Sequence, residues 1–175
     1  MAIRLLQRAQ LAAKLEVTPG TPETLLAADA NLLARNIAWD PDIEQHERNV
    51  LKSDLSQFAS ISGKRFGRIT FEIELRGSGT KDIAPSWGKL VEACKHAETI
   101  VAVTSVAYDP SSSEDNTLTI GFLEDGQLYQ FSGCVGTYEL RAVAGEPGVL
   151  AFDFLSSDFT VTDAALLTGI TYETT

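Results

Sequence analysis

The stretch FGRITFEIELR, residues 66–76, alternates apolar and polar side chains at every second position from Arg68 onward. Its isoleucine, phenylalanine and leucine side chains fall on one side of an extended chain, and its charged and hydroxyl side chains fall on the other. This period of two is typical of a β-strand with one buried face and one solvated face. The stretch therefore predicts a strand of an antiparallel sheet, ended by Gly77-Ser78-Gly79.

The same alternation recurs further along the chain, which predicts a mainly β protein. The predicted strands cover residues 99–108, 117–122, 127–131, 137–143 and 149–155. Asp125-Gly126 is a strong signal for a two-residue hairpin turn, and Glu146-Pro147-Gly148 is a second turn. Three of these strands are joined by short turns, so we expect an antiparallel meander. Gly133 and Gly136 predict a bulge or a close backbone contact within the sheet.

The N-terminal third predicts further strands. Residues 11–17 alternate apolar and polar side chains, and residues 31–37 and 43–50 are plausible short strands. The fold class that these patterns predict is an antiparallel β-sandwich or barrel.

One segment has helical rather than strand periodicity. Pro85 suits the first turn of a helix, and Lys95 and His96 suit its last turn. We therefore predict one α-helix over residues 85–97 that packs on the sheet. Its predicted core side chains follow the spacing i, i+3, i+4 and i+7 and are Trp87, Leu90, Val91 and Cys94.

Residues 40–62 show no clear period and are predicted to be a long loop. Loops of this length are usually functional or mobile. Its scattered apolar side chains suggest that it folds against something, such as a neighbouring subunit. The candidate contact residues are Arg48, Val50, Leu51, Leu55 and Phe58.

Length and charge limit the function classes. The 175 residues fit a single domain over 1–175, with residues 157–175 as a C-terminal extension. The net charge of −10 argues against tight binding to nucleic-acid phosphates. The charge is uneven: residues 1–95 hold 13 basic and 12 acidic side chains, whereas residues 96–175 hold one basic and 12 acidic.

The sequence offers no catalytic or metal-binding motif. It has two histidines, His46 and His96, and no HExxH, GxSxG or P-loop pattern. Cys94 and Cys134 are too few for a disulfide scaffold and are expected to be reduced packing residues. Glu72 and Glu74 are expected to form a charge ladder with neighbouring strands. We therefore expect a protein that is not an enzyme and needs no cofactor or metal, and no membrane-spanning stretch is expected.

The order of several segments resembles the tail tube (major tail) proteins of long-tailed, siphophage-type bacteriophages. The most specific part is FEIELRGSG at 71–79 followed by APSWGKLVEAC at 84–94, and the resemblance covers roughly residues 8–167. The other segments are QLAAKLEVTPGTP (10–22), NLLARNIAW (31–39), ERNVLKSDL (47–55), residues 116–140 and VLAFDFL (149–155).

The resemblance implies a structural virion protein, assembled in the host cytoplasm, that forms hexameric rings. Stacked rings would form the tail tube through which genomic DNA is ejected without sequence-specific binding. It further implies contacts with the tape measure, tail terminator and distal tail proteins. The long loop would reach a neighbouring subunit or ring.

The charge split adds a hypothesis about the lumen of such a tube. Lumens in this family are usually acidic, so that DNA slides without sticking. We predict that residues 96–175 supply most of this charge from the outward faces of the meander strands. The candidate lumen-facing side chains are Glu124, Asp125, Glu139 and Asp153.

Three alternatives remain open at this stage. The first is another phage ring protein, such as a tail terminator or head–tail connector, and the second is a secretion-system tube protein. The third is a carbohydrate-binding β-sandwich, which would need an exposed aromatic platform. The two tryptophans are Trp39 and Trp87, and Trp87 is assigned to the helix core.

Overall fold

The computed structural model of the chain describes residues 8–48, 50, 51, 53 and 58–172. The described elements are strands and two short helical segments. The strands are β1 (Ala9–Leu15), β2 (Ala34–His46), β3 (Ile61–Glu74), β4 (His96–Val101), β5 (Ser105–Pro110), β6 (Leu118–Glu124), β7 (Gln127–Arg141), β8 (Val149–Ser156) and β9 (Asp158–Asp163). The helix α1 covers Gly88–Glu92, and a 3₁₀ turn covers Ala27–Ala30.

Seven of these strands form one antiparallel sheet that is shared between two layers. The strand order is β1-β6-β7-β8-β3-β2, and β9 also pairs with β7. The first layer consists of β1, β6, β9 and the start of β7, and the second layer consists of the end of β7 with β8, β3 and β2. Buried side chains of both layers pack in one apolar core. The predicted antiparallel β-sandwich with a flanking helix is confirmed.

Strand β3 is buried on one face, as the alternation in residues 66–76 predicts. Ile69, Phe71 and Ile73 of β3 are at most 4% exposed and face the core beside Phe152 and Phe154 of β8. The exception is Leu75, which lies beyond the end of β3 and is 42% exposed. Burial of such large apolar side chains is the main favourable term in the folding of this sandwich.

Strand β7 joins the two layers because it bends at a glycine bulge. Phe131 lies opposite Ile120 and Cys134 opposite Leu118, so two residues of β7 face the single Thr119 of β6. Gly133 occupies that bulge with a positive φ of 60°, which favours glycine. The two strands predicted over 127–131 and 137–143 are therefore one strand, because the bulge bends the chain without ending it.

The predicted Asp125-Gly126 hairpin is confirmed. Glu124 and Gln127 are paired across a two-residue loop in which both central residues have positive φ, 29° and 99°. This is the geometry that matches the twist of the flanking strands.

Other boundaries differ from the predictions for local reasons. Of the two predicted strands, residues 34–37 and 43–46 lie in one strand, β2. This strand continues through Pro41 because it is an edge strand and Pro removes no ladder donor there. Residues 99–108 form two strands, β4 and β5, around a turn at 102–104. That turn places the β-branched Val103 at a φ of 59°, a conformation that no sequence rule would assign to valine.

The helix is shorter than predicted. It covers Gly88–Glu92 rather than residues 85–97, and Lys95 adopts a left-handed φ of 64° that turns the chain directly into β4. Lys95 and His96 thus lie beyond the helix rather than in its last turn. Leu90, Val91 and Cys94 are buried as predicted.

Most of the predicted C-terminal extension packs on the first layer. β9 pairs with β7 from Gln127 to Ser132 and is a strand of the main sheet. Leu166, Leu167 and Ile170 then pack against a second apolar cluster, whose buried members are Ala12, Ala30 and Leu123. The alternation in β9 is too short to mark a strand in the sequence.

Candidate assembly surfaces

Strands β2 and β3 continue beyond the sandwich as a two-stranded ribbon. β3 pairs with β8 only from Gly67 onward, whereas its pairing with β2 continues down to Ile61. We call residues 42–46 and 61–66 the ribbon. The predicted loop over 40–62 is therefore wrong at both ends, because cross-strand pairing orders these residues without a buried face to reveal them in the sequence.

The ribbon and the segment beyond it expose apolar side chains. Ile43 lies on the same side of β2 as Trp39, which packs against the core, but past the edge of the sandwich Ile43 is 44% exposed. Ile61 is 52% exposed, and the candidate contact residues Val50, Leu51 and Phe58 are 52%, 105% and 40% exposed.

Two further candidate contact residues complete the predicted set. The guanidinium carbon of Arg48 lies 5.0 Å from the centre of the Phe58 ring, a cation–π contact. This contact brings together the two sides of the segment that links β2 to β3. Leu55 lies outside the described residues. That these residues bind a neighbouring subunit stays a prediction.

The outer face of the second layer is polar and is held by ion pairs. Arg68 donates to Asp153, with Nε 2.8 Å from Oδ1. Glu72 accepts from Arg35 at 3.3 Å, from Asn36 at 2.9 Å and from Arg141 at 3.1 Å. The charge ladder with neighbouring strands that was predicted for Glu72 and Glu74 is confirmed for Glu72 only, since Glu74 pairs with Arg76 two positions along the chain. A shallow cleft of about 370 Å³ lies over these side chains.

Two of the four predicted lumen residues lie on this polar face. Asp153 pairs with Arg68, and Glu139 accepts from Arg141 at 2.9 Å. Each arginine holds the pKa of its carboxyl partner below the usual range. The negative charges of Glu139 and Asp153 are therefore largely balanced by the adjacent arginines. Such exposed ion pairs balance charge even though they add little to the stability of the fold.

The other two predicted lumen residues lie elsewhere. Glu124 and Asp125 are at the β6–β7 turn, at the end of the first layer. The predicted set of four thus divides into one pair on the second layer and one pair at a hairpin. The four carboxyls therefore do not share one face of the monomer.

Sequence reasoning missed a carboxylate with several long-range partners. Glu16 follows β1 and accepts from the hydroxyls of Thr117 and Thr119 and from the backbone N–H groups of Gly20 and Gly133. The bond to Gly133 is 2.8 Å long and fixes the bulge of β7. Since its partners lie up to 117 positions away, no local motif marks Glu16.

The β4–β5 hairpin is fastened to the sandwich around the helix. Trp87 donates from Nε1 to the carbonyl oxygen of Arg76 at 2.6 Å, and its ring centre lies 5.5 Å from that of Tyr108 on β5. The hydroxyl of Tyr108 donates to Glu98 at 2.6 Å. On the other side the ring centres of His96 and Tyr138 lie 5.5 Å apart. Trp87 is half-buried and precedes the helix. It packs against the core, as predicted, and it also connects the hairpin to the sandwich.

Glu92 is a second unusual carboxyl at this junction. Burial, together with the charges of Glu98 and Glu114, raises its pKa to about 7. The amide nitrogen of Asn116 lies 3.5 Å from a carboxyl oxygen of both Glu92 and Glu114. No group of three or more histidine, cysteine or acidic side chains suited to a metal ion occurs among the described residues.

The two cysteines are buried and unpaired. Cys94 is 9% exposed and Cys134 is 0% exposed. Burial raises the pKa of the Cys94 thiol to about 12 and that of Cys134 still further, so neither is a reactive thiolate. Within the described part of the chain, no helix is long and apolar enough to cross a membrane.

Comparisons with known proteins give a distant structural likeness. No known protein family matches the sequence, and no curated protein matches it. Among solved structures, a chain in the baseplate of the anti-feeding prophage is similar at a TM-score of 0.47 with 8% identity, covering 95% of this chain and 100% of that one. A chain in the tube-terminating cap of the same particle is similar at a TM-score of 0.47 with 11% identity, covering 94% and 95%.

Proposed function

We propose that this chain is a structural subunit of a phage tail, and specifically of a tail tube built from stacked hexameric rings. The exposed apolar end of the β2–β3 ribbon is the observation that carries this proposal. An isolated monomer gains nothing from Leu51, Val50, Ile61 and Ile43 in water, whereas a second subunit would bury them.

The position of the ribbon suits contact between copies. A contact between the ribbon of one copy and a different surface of the next is heterologous, and such contacts close into rings or propagate as tubes. β2 is also an edge strand of the main sheet. Edge strands need protection from uncontrolled pairing, and pairing within a closed ring provides it.

The segment resemblance to tail tube proteins agrees with this proposal at the level of fold. The family implies a β-sandwich or barrel with one flanking helix, and the chain has that architecture. DNA would pass through the tube without specific binding, which suits the net charge of −10. The proposal also includes contacts with the tape measure, tail terminator and distal tail proteins, and a role without enzymatic activity.

The paired charges change the expected lumen. If the polar face of the second layer lines the tube, Glu139 and Asp153 offer DNA carboxylates already balanced by Arg141 and Arg68. A balanced ladder would neither hold nor strongly repel phosphates. The turn residues Glu124 and Asp125 would then provide lumen charge only if the hairpin end also faces inward.

The alternatives differ in the assembly that they predict. A tail terminator or head–tail connector forms a single ring, while a tube subunit forms stacked rings. A secretion-system tube protein would share the stacking and differ in genomic neighbourhood. The carbohydrate-binding alternative loses its platform, since Trp39 packs against Tyr129 at 4.3 Å between ring centres and Trp87 is tied to Arg76.

Negative-stain electron microscopy of the purified chain tests the proposal. We expect stacked six-membered rings or tubes at high protein concentration. Ile61→Glu should leave a folded monomer without rings, because it places a charge in the contact. Val143→Glu is the matched control, since Val143 is 61% exposed in the β7–β8 connection, and it should assemble normally. Monomers of the unaltered chain at all concentrations would refute the proposal.

A further inference from the structure

The β4–β5 hairpin is a separate two-stranded sheet whose attachment depends on a crowded group of carboxyls. Its cross-strand neighbours run from His96 opposite Pro110 to Val101 opposite Ser105. Its base contacts α1 and Trp87 before it, and the backbone N–H of Val103 in its turn donates to Asp82 at 3.1 Å. Its far end exposes Ile100, Val101 and Val103 at 53%, 49% and 78%.

Three carboxyl groups from three parts of the chain meet at that base. Glu92 is the last residue of α1, Glu98 lies on β4 and Glu114 lies in the connection that follows β5. The charges of Glu98 and Glu114 both act on Glu92. A single Asn116 amide nitrogen lies 3.5 Å from both Glu92 and Glu114, so one weak donor is shared between two carboxyls.

The cations near this group are engaged elsewhere. Lys95 donates to the carbonyl oxygen of Glu114 at 2.6 Å and pairs with Asp115. Lys89 donates to the carbonyl oxygen of Asp29 at 3.3 Å. His96 lies 3.0 Å from the carbonyl oxygen of Cys94 and 3.3 Å from the hydroxyl of Tyr138.

The remaining neighbour of Glu92 is held tightly in place. Tyr108 donates its hydroxyl hydrogen to Glu98, and a Cβ at Gly88 would lie only 2.0 Å from that hydroxyl oxygen. The ring of Tyr108 also packs beside Trp87. The hairpin therefore cannot shift by a small adjustment to relieve repulsion between Glu92 and Glu98, because the packed ring fixes the spacing.

We propose that the junction of Glu92, Glu98 and Glu114 is a proton-operated latch that holds the β4–β5 hairpin against α1. With Glu92 protonated, one of the three like charges is absent and the hairpin is closed. With Glu92 ionised, three carboxylates repel one another and the hairpin opens more often, which changes the presentation of its apolar end. The latch does not depend on whether the chain forms tubes.

The sign of the effect follows from linkage. Burial and the two like charges place the pKa of Glu92 near 7 in the folded chain, above the 4.5 of an unperturbed glutamate. The closed state therefore retains a proton that the open state releases. Closure is favoured below about pH 4.5 and weakens as pH rises to about 7.

Hydrogen–deuterium exchange on the whole chain tests the latch. Amides of β4 and β5 are compared with those of β8 at pH 6 and pH 8.5, after correction for intrinsic exchange rates. We expect hairpin protection to fall by about threefold at the higher pH, after allowance for solvent screening, while β8 is unchanged. Glu92→Gln should remain protected at both pH values, and the exposed-carboxyl control Glu146→Gln in the β7–β8 connection should behave as the unaltered chain. Equal hairpin protection at both pH values, or a pH response retained in Glu92→Gln, would overturn the latch.

A second measurement covers the case in which Glu92→Gln does not fold. The side-chain carboxyl of Glu92 is followed by nuclear magnetic resonance during a pH titration of the unaltered chain and of Glu114→Gln. We expect a midpoint near 7 that moves lower when the Glu114 charge is removed. A midpoint near 4.5, or one that ignores Glu114, would also overturn the proposal.

Discussion

Two hairpins leave the sandwich, and they are held in different ways. The β2–β3 ribbon is a direct continuation of the main sheet, and its apolar side chains are exposed. The β4–β5 hairpin belongs to a separate sheet, yet rings and hydrogen bonds fasten its base to the body. Backbone continuity alone therefore leaves a hairpin available for partners, whereas side-chain contacts at the base make another hairpin part of the monomer.

The largest effect on stability is expected when Trp87, the main contact between the β4–β5 hairpin and the sandwich, is removed. Trp87→Ala should destabilise the chain by about 3 kcal/mol, because it deletes a half-buried ring and the hydrogen bond to Arg76. Urea unfolding followed by circular dichroism measures the loss. Trp87→Phe is the matched control, and it should cost about 1–2 kcal/mol since the ring remains. Equal costs for both variants would show that the ring contributes little.

A smaller change tests the close approach of Tyr108 to the helix. Gly88→Ala should cost about 2 kcal/mol, because the new Cβ would lie 2.0 Å from the Tyr108 hydroxyl oxygen and 2.9 Å from Cζ. The same substitution in a Tyr108→Phe background should cost clearly less, since the hydroxyl is then absent. A double-mutant cycle by chemical unfolding gives the coupling. Simple additivity of the two substitutions would contradict the contact.

The two hairpins also differ in how far the sequence reveals them. Alternation predicts β3 and β8, because one face of each lies in the core, and it predicts β6 from Leu118, Ile120 and Phe122, although both faces of β6 are buried. The ribbon has no buried face, so its residues carry no clear period, and the sequence predicts a loop over 40–62 that overlaps a short strand over 43–50. The β4–β5 turn escapes prediction because Val103 occupies a left-handed conformation where glycine or asparagine would have marked a turn.

The polar side chains of the candidate surfaces also differ in how far the sequence predicts their contacts. Ion pairs between residues on neighbouring strands, such as Glu72 with Arg35, follow from strand alternation and could be expected. The bonds of Glu16 and the carboxyl group around Glu92 depend on how distant elements meet. Such arrangements are properties of the tertiary packing, and a single sequence without repeats or motifs does not show them.

The pH response of stability separates the fastened hairpin from the rest of the chain. The pKa of Glu92 is raised to about 7, so its contribution to the free energy of unfolding declines from pH 4.5 to pH 7. The carboxyls of Asp153 and Glu139 have lowered pKa values, so their contributions are lost only at lower pH. The effect of Glu92→Gln on the free energy of unfolding should therefore be more favourable at pH 8 than at pH 5. The difference should be about 1 kcal/mol after allowance for solvent screening. Unfolding at the two pH values checks this, and an unchanged difference would contradict the role of Glu92.

The ribbon should give the smallest effect on the monomer. Ile43→Ser replaces a side chain that is 44% exposed and lies past the edge of the sandwich, so the free energy of unfolding should change by less than about 0.5 kcal/mol. Ile69→Ser, on the paired strand β3 but within the core and 1% exposed, is the contrasting variant and should be strongly destabilising. If Ile43→Ser leaves stability intact but shifts the concentration at which particles form in light scattering, the ribbon acts between copies. If it destabilises the dilute monomer as Ile69→Ser does, the ribbon is instead fastened like the other hairpin, and the distinction between the two regions fails.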